Sequence, residues 1–124
     1  TGTTIAGMAT HFTENHISLE KLVGIQVLKG EGYITSELEK LYGIRGVNIL
    51  DEFHFGGYAK TTPELIDFIK QFTKETGILL DPIYTGKMMY AIKVLAENGG
   101  LKNKHVVAIH TGGLTGWFGK YTEL

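Results

Sequence analysis

Asp81-Pro82-Ile83-Tyr84-Thr85-Gly86-Lys87 stands at the head of a helix-like run, Met88 to Glu97, and the reading of the whole chain turns on it. Pro82 fixes its own φ and keeps Asp81 away from helical angles, so the chain must stop and turn before the helix can start. Thr85 reads as the N-cap, because its hydroxyl can accept a backbone N–H from the next turn. Gly86 lets a ligand or a second backbone segment come close. Tyr84 and Thr85 are thereby placed at the mouth of a helix with an apolar face, which on residue chemistry alone makes them site candidates.

The segments on either side alternate between strand and helix patterns. Leu22 to Leu28 is a nearly continuous apolar run and reads as a buried parallel strand. Ile34, Leu38 and Leu41 recur at helical spacing and Gly43 follows as a stop, the pattern of an amphipathic helix. Ile49 to Phe55 alternates in part and reads as a second strand. Thr61 and Glu64 fit a capping box around Pro63, opening a helix through Leu65, Ile66, Ile69 and Phe72 to Gly77. The helix after the central stretch is expected to bury Met88, Ala91, Ile92 and Leu95 and to end at Asn98-Gly99-Gly100, with His105 to Ile109 as a last buried strand. At the start, Thr1 to Thr4 reads as a loop opening into a helix over Ile5 to Phe12, with Ala6, Gly7 and Ala9 small enough to lie on a sheet. Trp117, Phe118 and Tyr121 are expected to pack the tail. Strands alternating with helices predict an α/β fold, three αβα layers around a mainly parallel twisted sheet.

Composition narrows the function classes. The chain has 124 residues, 43% of them hydrophobic and 20% charged, with a net charge of −1. That balance is ordinary for a soluble globular domain and points to neither nucleic acid nor an anionic membrane. Cysteine is absent, so there is no disulfide framework and no thiolate chemistry. Neither a signal peptide nor a membrane-length apolar run is visible, so a cytoplasmic location is expected. The histidines, His11, His16, His54, His105 and His110, show no metal-ligand spacing. The first residues already form a glycine/threonine loop, without the strand that normally precedes one, and read as the interior of a longer polypeptide.

Three places could carry chemistry. The opening loop offers backbone N–H groups and threonine hydroxyls at a helix N-terminus, an arrangement suited to a phosphate dianion or to a plain cap. Tyr58, in Gly56-Gly57-Tyr58-Ala59-Lys60, follows a strand end, where α/β sheets bind ligands, or is an exposed loop aromatic. Tyr84 is a site tyrosine or a core one with a satisfied hydroxyl. Lys87 reads as a solvated helix lysine.

Asp81 to Lys87, together with His110-Thr111-Gly112-Gly113 and Thr1-Gly2-Thr3-Thr4-Ile5-Ala6-Gly7, resembles the C-terminal part of the pyridoxal-phosphate enzymes related to 1-aminocyclopropane-1-carboxylate deaminase and D-cysteine desulfhydrase. These are fold-type-II, tryptophan-synthase-β-like proteins, and the motifs stand in the family's order across essentially the whole chain. The resemblance implies that Thr1, Gly2, Thr3 and Thr4 hold the cofactor phosphate. It implies that Tyr58 and Tyr84 face the substrate, with Tyr84 able to take part in proton transfer. It also implies that Thr85 and Thr111 lie by the pyridine nitrogen, with Gly112 and Gly113 letting the backbone approach the ring.

The family's Schiff-base lysine and its substrate-side serine lie upstream of the matched motifs. Residues 1–124 are therefore expected to be the C-terminal part of the large domain, incomplete relative to the parent enzyme and inactive alone. The cyclopropane-opening deaminases of the family look to have glutamate at the position of Thr85 and leucine at that of Thr111, whereas the desulfhydrases have hydroxyl residues at both. A neutral hydroxyl leaves the ring a weaker electron sink, which suits expulsion of thiolate better than opening a strained ring. The expectation is β-elimination on D-cysteine or a similar small amino acid. The alternatives are deamination of 1-aminocyclopropane-1-carboxylate, a non-catalytic cofactor-binding homologue, or an unrelated α/β domain. The expected partners are a small amino acid, the remainder of the parent polypeptide and a second copy in a homodimer, since a truncated sheet exposes its edge.

Overall fold

A parallel pair of strands, β1 (Val23–Ile25) and β2 (Asn48–Leu50), forms the sheet, in the register Val23 to Asn48, Gly24 to Ile49 and Ile25 to Leu50. The structure is a computed structural model and describes residues 2–120 and residue 122. Four helices surround the pair: α1 (Thr3–Glu14), α2 (Tyr33–Tyr42), α3 (Pro63–Thr76) and α4 (Thr85–Glu97). Short 3-10 turns lie at Leu19–Lys21 and Leu114–Trp117. The order, with α2 crossing over between parallel strands, is that of an α/β fold.

Helix ends follow local chemistry. Gly43 and Gly77 adopt left-handed angles, φ 65° and 73°, and their N–H groups close the last turns of α2 and α3. The cap of α3 is Thr62, not Thr61: its hydroxyl accepts from Leu65 N at 3.3 Å. Pro63 occupies the first helical position, which leaves the cap to the residue just before it. Glu64 accepts the hydroxyl of Tyr90 from α4 instead of reaching back to the cap.

Two apolar clusters pack the elements. Ala6, Ile34 and Leu38, with Ile5, Leu28, Ile44, Val47 and Ile49 against them, join α1 and α2 to the sheet. Leu65, Ile66, Ile69, Leu80 and Trp117, with Phe55, Phe68, Phe72, Met89 and Tyr90, join α3 to α4. Trp117 anchors the C-terminal turn by donating its indole N–H to Leu80 O at 2.8 Å.

Several expected elements are shorter or absent. The strand over 22–28 stops at Ile25 because the Gln26 side chain turns inward. Its amide donates to Leu28 O (2.9 Å) and Gly30 O (2.5 Å), and its oxygen accepts from Ile34 N (2.8 Å). The strand over 49–55 ends at Leu50, where Asp51 accepts from Gly32 N at 2.7 Å and the chain turns into a loop with Phe55 at φ 52°. His105–Ile109 is not a buried strand: no described strand pairs with it, and Val107 is 81% exposed. Apolar content without a neighbouring ladder does not make a strand. Leu41 and Phe118 are likewise exposed, and within α4 only Ala91 of the expected apolar set is fully buried. Tyr121 lies outside the described residues. Among the described residues, no helix is long and apolar enough to cross a membrane.

Two glycines mark the tightest contacts. A Cβ on Gly86 would lie 2.5 Å from Ile69 Cδ1 and 2.6 Å from the backbone oxygen of Asp81. A Cβ on Gly24 would overlap the tip of Ile5 and approach Ile49 Cδ1 at 2.7 Å, both ends of flexible side chains. Gly86→Ala should therefore cost about 3 kcal/mol and Gly24→Ala about 1 kcal/mol. Urea unfolding of both variants checks the order, and equal costs would contradict it.

Candidate active site

The central stretch is built on Asp81, which is fully buried. Its Oδ1 accepts from Ile83 N (2.8 Å) and Tyr84 N (2.6 Å). Its Oδ2 accepts from Thr85 N (2.8 Å) and from the Thr85 hydroxyl (2.6 Å), and the same hydroxyl accepts from Asp81 N at 2.9 Å. Asp81, not Thr85, is thus the side chain that satisfies the opening amides of α4, and Thr85 is the first helical residue. A carboxylate suits this place better than a hydroxyl, because it accepts several N–H groups at once and meets the positive end of the helix dipole.

The C-terminal loop rests on this cap. A Cβ on Gly113 would sit 3.2 Å from Asp81 Oδ2, so only a residue without one fits easily there. His110 Nδ1 accepts from Gly112 N at 3.1 Å, which leaves Nε2 to donate to Leu79 O at 3.1 Å. Residues 110–113 are thereby fixed beside the start of α4. Thr111 is exposed, whereas Thr85 is buried with its proton directed at Asp81.

Tyr58 and Tyr84 meet across these loops. The Tyr84 hydroxyl donates to that of Tyr58 at 3.4 Å, and the rings stand edge to face at 6.1 Å. Both rings are exposed on their outer sides. The Tyr84 phenol is pushed up to about 12, first by its hydrogen bond to Tyr58, then by burial, then by the charges of Tyr58 and Asp81.

Lys87 is where the sequence reading fails. It is not solvated but 0% exposed, and its Nζ donates to His54 O at 2.8 Å and Gly57 O at 2.9 Å. Burial lowers its pKa to about 8, against the opposing pull of Asp81 and with a further push from Lys120. A signal was present in the sequence: Lys87 shares the inward face of α4 with Ala91, four residues on.

The N-terminus of α1 is the third component. Gly2 takes φ 84°, no side chain caps the helix, and Thr3 and Thr4 are exposed. The amides of the first turn therefore lack intrahelical partners and face outward beside two hydroxyls, which fits a phosphate group. Gly2 lies against Ile34 and Leu38 of α2, whose own start follows the carboxyl end of β1. Gly57, in the loop beyond β2, lies against Lys29, beyond β1. The uncapped start of α1 and the tyrosine loop thus lie toward the carboxyl side of a parallel sheet, where such folds bind ligands. No described hydrogen bond or ring contact links Gly2, Thr3 or Thr4 to the tyrosine pair, and Thr1 lies outside the described residues. Among the described residues, no cluster of three or more metal-ligating side chains occurs.

No family model matches the chain. Individual proteins do. A protein of Pyrococcus horikoshii provisionally named 1-aminocyclopropane-1-carboxylate deaminase is 35% identical over 126 aligned residues, covering 94% of this chain and 38% of the relative. The mitochondrial bifunctional D-cysteine desulfhydrase/1-aminocyclopropane-1-carboxylate deaminase of Arabidopsis thaliana is 34% identical over 70 residues, covering 55% of this chain and 18% of the relative. A crystal structure of a homologue of 1-aminocyclopropane-1-carboxylate deaminase superposes with a TM-score of 0.74 at 32% identity, covering 99% of this chain and 41% of that one. The chain spans well under half the length of these relatives.

The tyrosine pair yields a direct expectation. The Tyr84 ring resonances should titrate near pH 12, read apart from those of Tyr90, which its bond to Glu64 also raises, and Tyr58→Phe should return Tyr84 toward the ordinary value of 10.0. A folded-state pKa above the unfolded one stabilises below the unfolded value and ceases to do so as pH rises through the folded one, so the pair supports the fold up to about pH 10 and loses that contribution toward 12. An unchanged titration in Tyr58→Phe would contradict the assignment.

Proposed function

We propose that this chain, homologous over nearly its whole length to part of the 1-aminocyclopropane-1-carboxylate deaminase and D-cysteine desulfhydrase family, is a segment of a pyridoxal-phosphate-dependent enzyme. Within that enzyme, residues 1–124 are the C-terminal part of the cofactor-binding large domain. The observation that carries the reading is the assembly of Tyr58 and Tyr84, 26 residues apart in sequence, beside a fixed His110–Gly113 loop in a chain with these relatives.

In this reading Gly2, Thr3 and Thr4, with Thr1, hold the cofactor phosphate through first-turn amides and hydroxyls. Pyridoxal phosphate, when bound, supplies an electron sink for charge released at the α-carbon of a small amino acid. Tyr84 keeps its proton at neutral pH, since its phenol lies at about 12, and donates it in a hydrogen bond to Tyr58, so the Tyr58 hydroxyl is the donor of the pair left to face the substrate, with Tyr84 supporting it. Thr111, exposed beside Gly112, is the hydroxyl available to the pyridine nitrogen. Thr85 gives its proton to Asp81 and so acts on the ring side by fixing the start of α4. A neutral hydroxyl, that of Thr111, at the ring nitrogen, with the Asp81 carboxylate taken up by Thr85 and three amides, favours β-elimination from D-cysteine. Deamination of 1-aminocyclopropane-1-carboxylate is the second reading, because the Arabidopsis relative is named for both reactions. The partners are the small amino-acid substrate, the rest of the polypeptide and a second copy in a homodimer, in the cytoplasm, without nucleic acid or membrane.

The test uses the full-length protein carrying this segment, loaded with pyridoxal phosphate. D-cysteine should release sulfide, and Thr111→Val should lower kcat/KM about tenfold, or ~1.4 kcal/mol of transition-state stabilisation. Turnover of the cyclopropane substrate without sulfide release would favour the second reading. Failure to retain the cofactor at all would overturn both.

A further inference from the structure

The position of Lys87 is unfavourable on every simple count. It is the third residue of α4, where an ammonium meets the positive end of the helix dipole. It is wholly buried, and it takes part in none of the salt bridges formed among the described residues. A methionine would fill a similar volume without the cost of burying a charge.

What the ammonium gains is a pair of carbonyl acceptors, His54 O and Gly57 O, at the two ends of one tight turn. That turn passes through three consecutive left-handed residues, Phe55 (φ 52°), Gly56 (φ 96°) and Gly57 (φ 126°). For Phe55 such an angle is strained and persists only where the surroundings enforce it. Tyr58 follows Gly57 directly, and Tyr84 precedes Lys87 by nearly one helical turn. One side chain therefore joins the two backbone segments that carry the tyrosine pair.

We propose that Lys87 is a positioning residue: its buried ammonium, donating to the His54 and Gly57 carbonyls, clasps the 54–57 turn to the first turn of α4 and so sets Tyr58 opposite Tyr84. The charged groups acting on it are Asp81, before α4, and Lys120, from the C-terminal turn; burial lowers its pKa to about 8, so it is an ammonium at neutral pH. The value of the clasp for catalysis rests on the proposed function, but the clasp itself does not.

The test is read in the proximities between the Tyr58 and Tyr84 ring protons of the chain without cofactor, below pH 8 so that Lys87 is an ammonium. Lys87→Met should remove those proximities. A control core variant, Ile69→Val, should lower stability and leave them in place. A folded Lys87→Met protein that keeps the Tyr58–Tyr84 proximities would overturn the clasp. If Lys87→Met does not fold, ε-carbon-labelled lysine in the unmutated chain decides. A resonance titrating near 8, with proton proximities to the α-protons of His54 and Gly57, supports the clasp. Titration at the ordinary 10.5 without those proximities overturns it. In the full-length protein, loss of cofactor binding with an intact tyrosine response would refute the proposed function and leave the clasp standing.

Discussion

One buried carboxylate organises the functional end of this molecule. Asp81 receives three backbone amides and a hydroxyl within 2.6–2.8 Å, and through them it fixes where α4 starts. The ring of Tyr84 leaves from that cap, Gly113 packs on the same carboxylate, and Leu80 next to it receives the indole of Trp117. Charge-assisted bonds to buried amides are each worth about 1.5–3 kcal/mol, and a helix N-terminus is the place where a carboxylate is best tolerated. Removing Asp81 would therefore release a helix start, a tyrosine and a loop together.

Lys87 is the counterpart of that carboxylate, two helical residues beyond Thr85 and equally buried. Asp81 orders the helix N-terminus from within its own turn, while Lys87 reaches out to a loop 30 and 33 residues earlier in the chain. The first interaction is local and strong, and the second is long-range and offsets an intrinsic penalty. Together they hold Tyr58 and Tyr84 at the carboxyl side of a very short parallel sheet, so the site depends less on the strands than on polar contacts between loops.

Much of the fold was legible because its signals are local. Gly43 and Gly77 end helices as expected, Pro63 starts one, and the apolar spacing of Leu65, Ile66 and Ile69 marks a buried face. Errors arose where a local signal competed with a tertiary one. Thr85 has the chemistry of an N-cap, but a carboxylate four residues earlier takes both its amide and its hydroxyl, and the helix has already begun at Thr85. Gln26 sits in an apolar run that reads as strand, yet its side chain finds three backbone partners and bends the chain away. Val106, Val107 and Ile109 are apolar enough for a strand, but strands exist only as pairs, and no single stretch of sequence shows its partner. Lys87 was misread by type, since lysine is seldom fully buried, although its register with Ala91 placed it inside.

The functional account joins an uncapped helix start at Gly2–Thr4 to a tyrosine pair and a histidine-pinned loop, and its central claim is that these parts grip one phosphorylated cofactor. A crystal structure of the full-length protein with pyridoxal phosphate tests that claim most directly. The account predicts phosphate oxygens about 3 Å from the Thr3 and Thr4 amides, with the ring between the Tyr58–Tyr84 pair and Thr111. A phosphate held at another helix start, or a ring remote from those tyrosines, would contradict it.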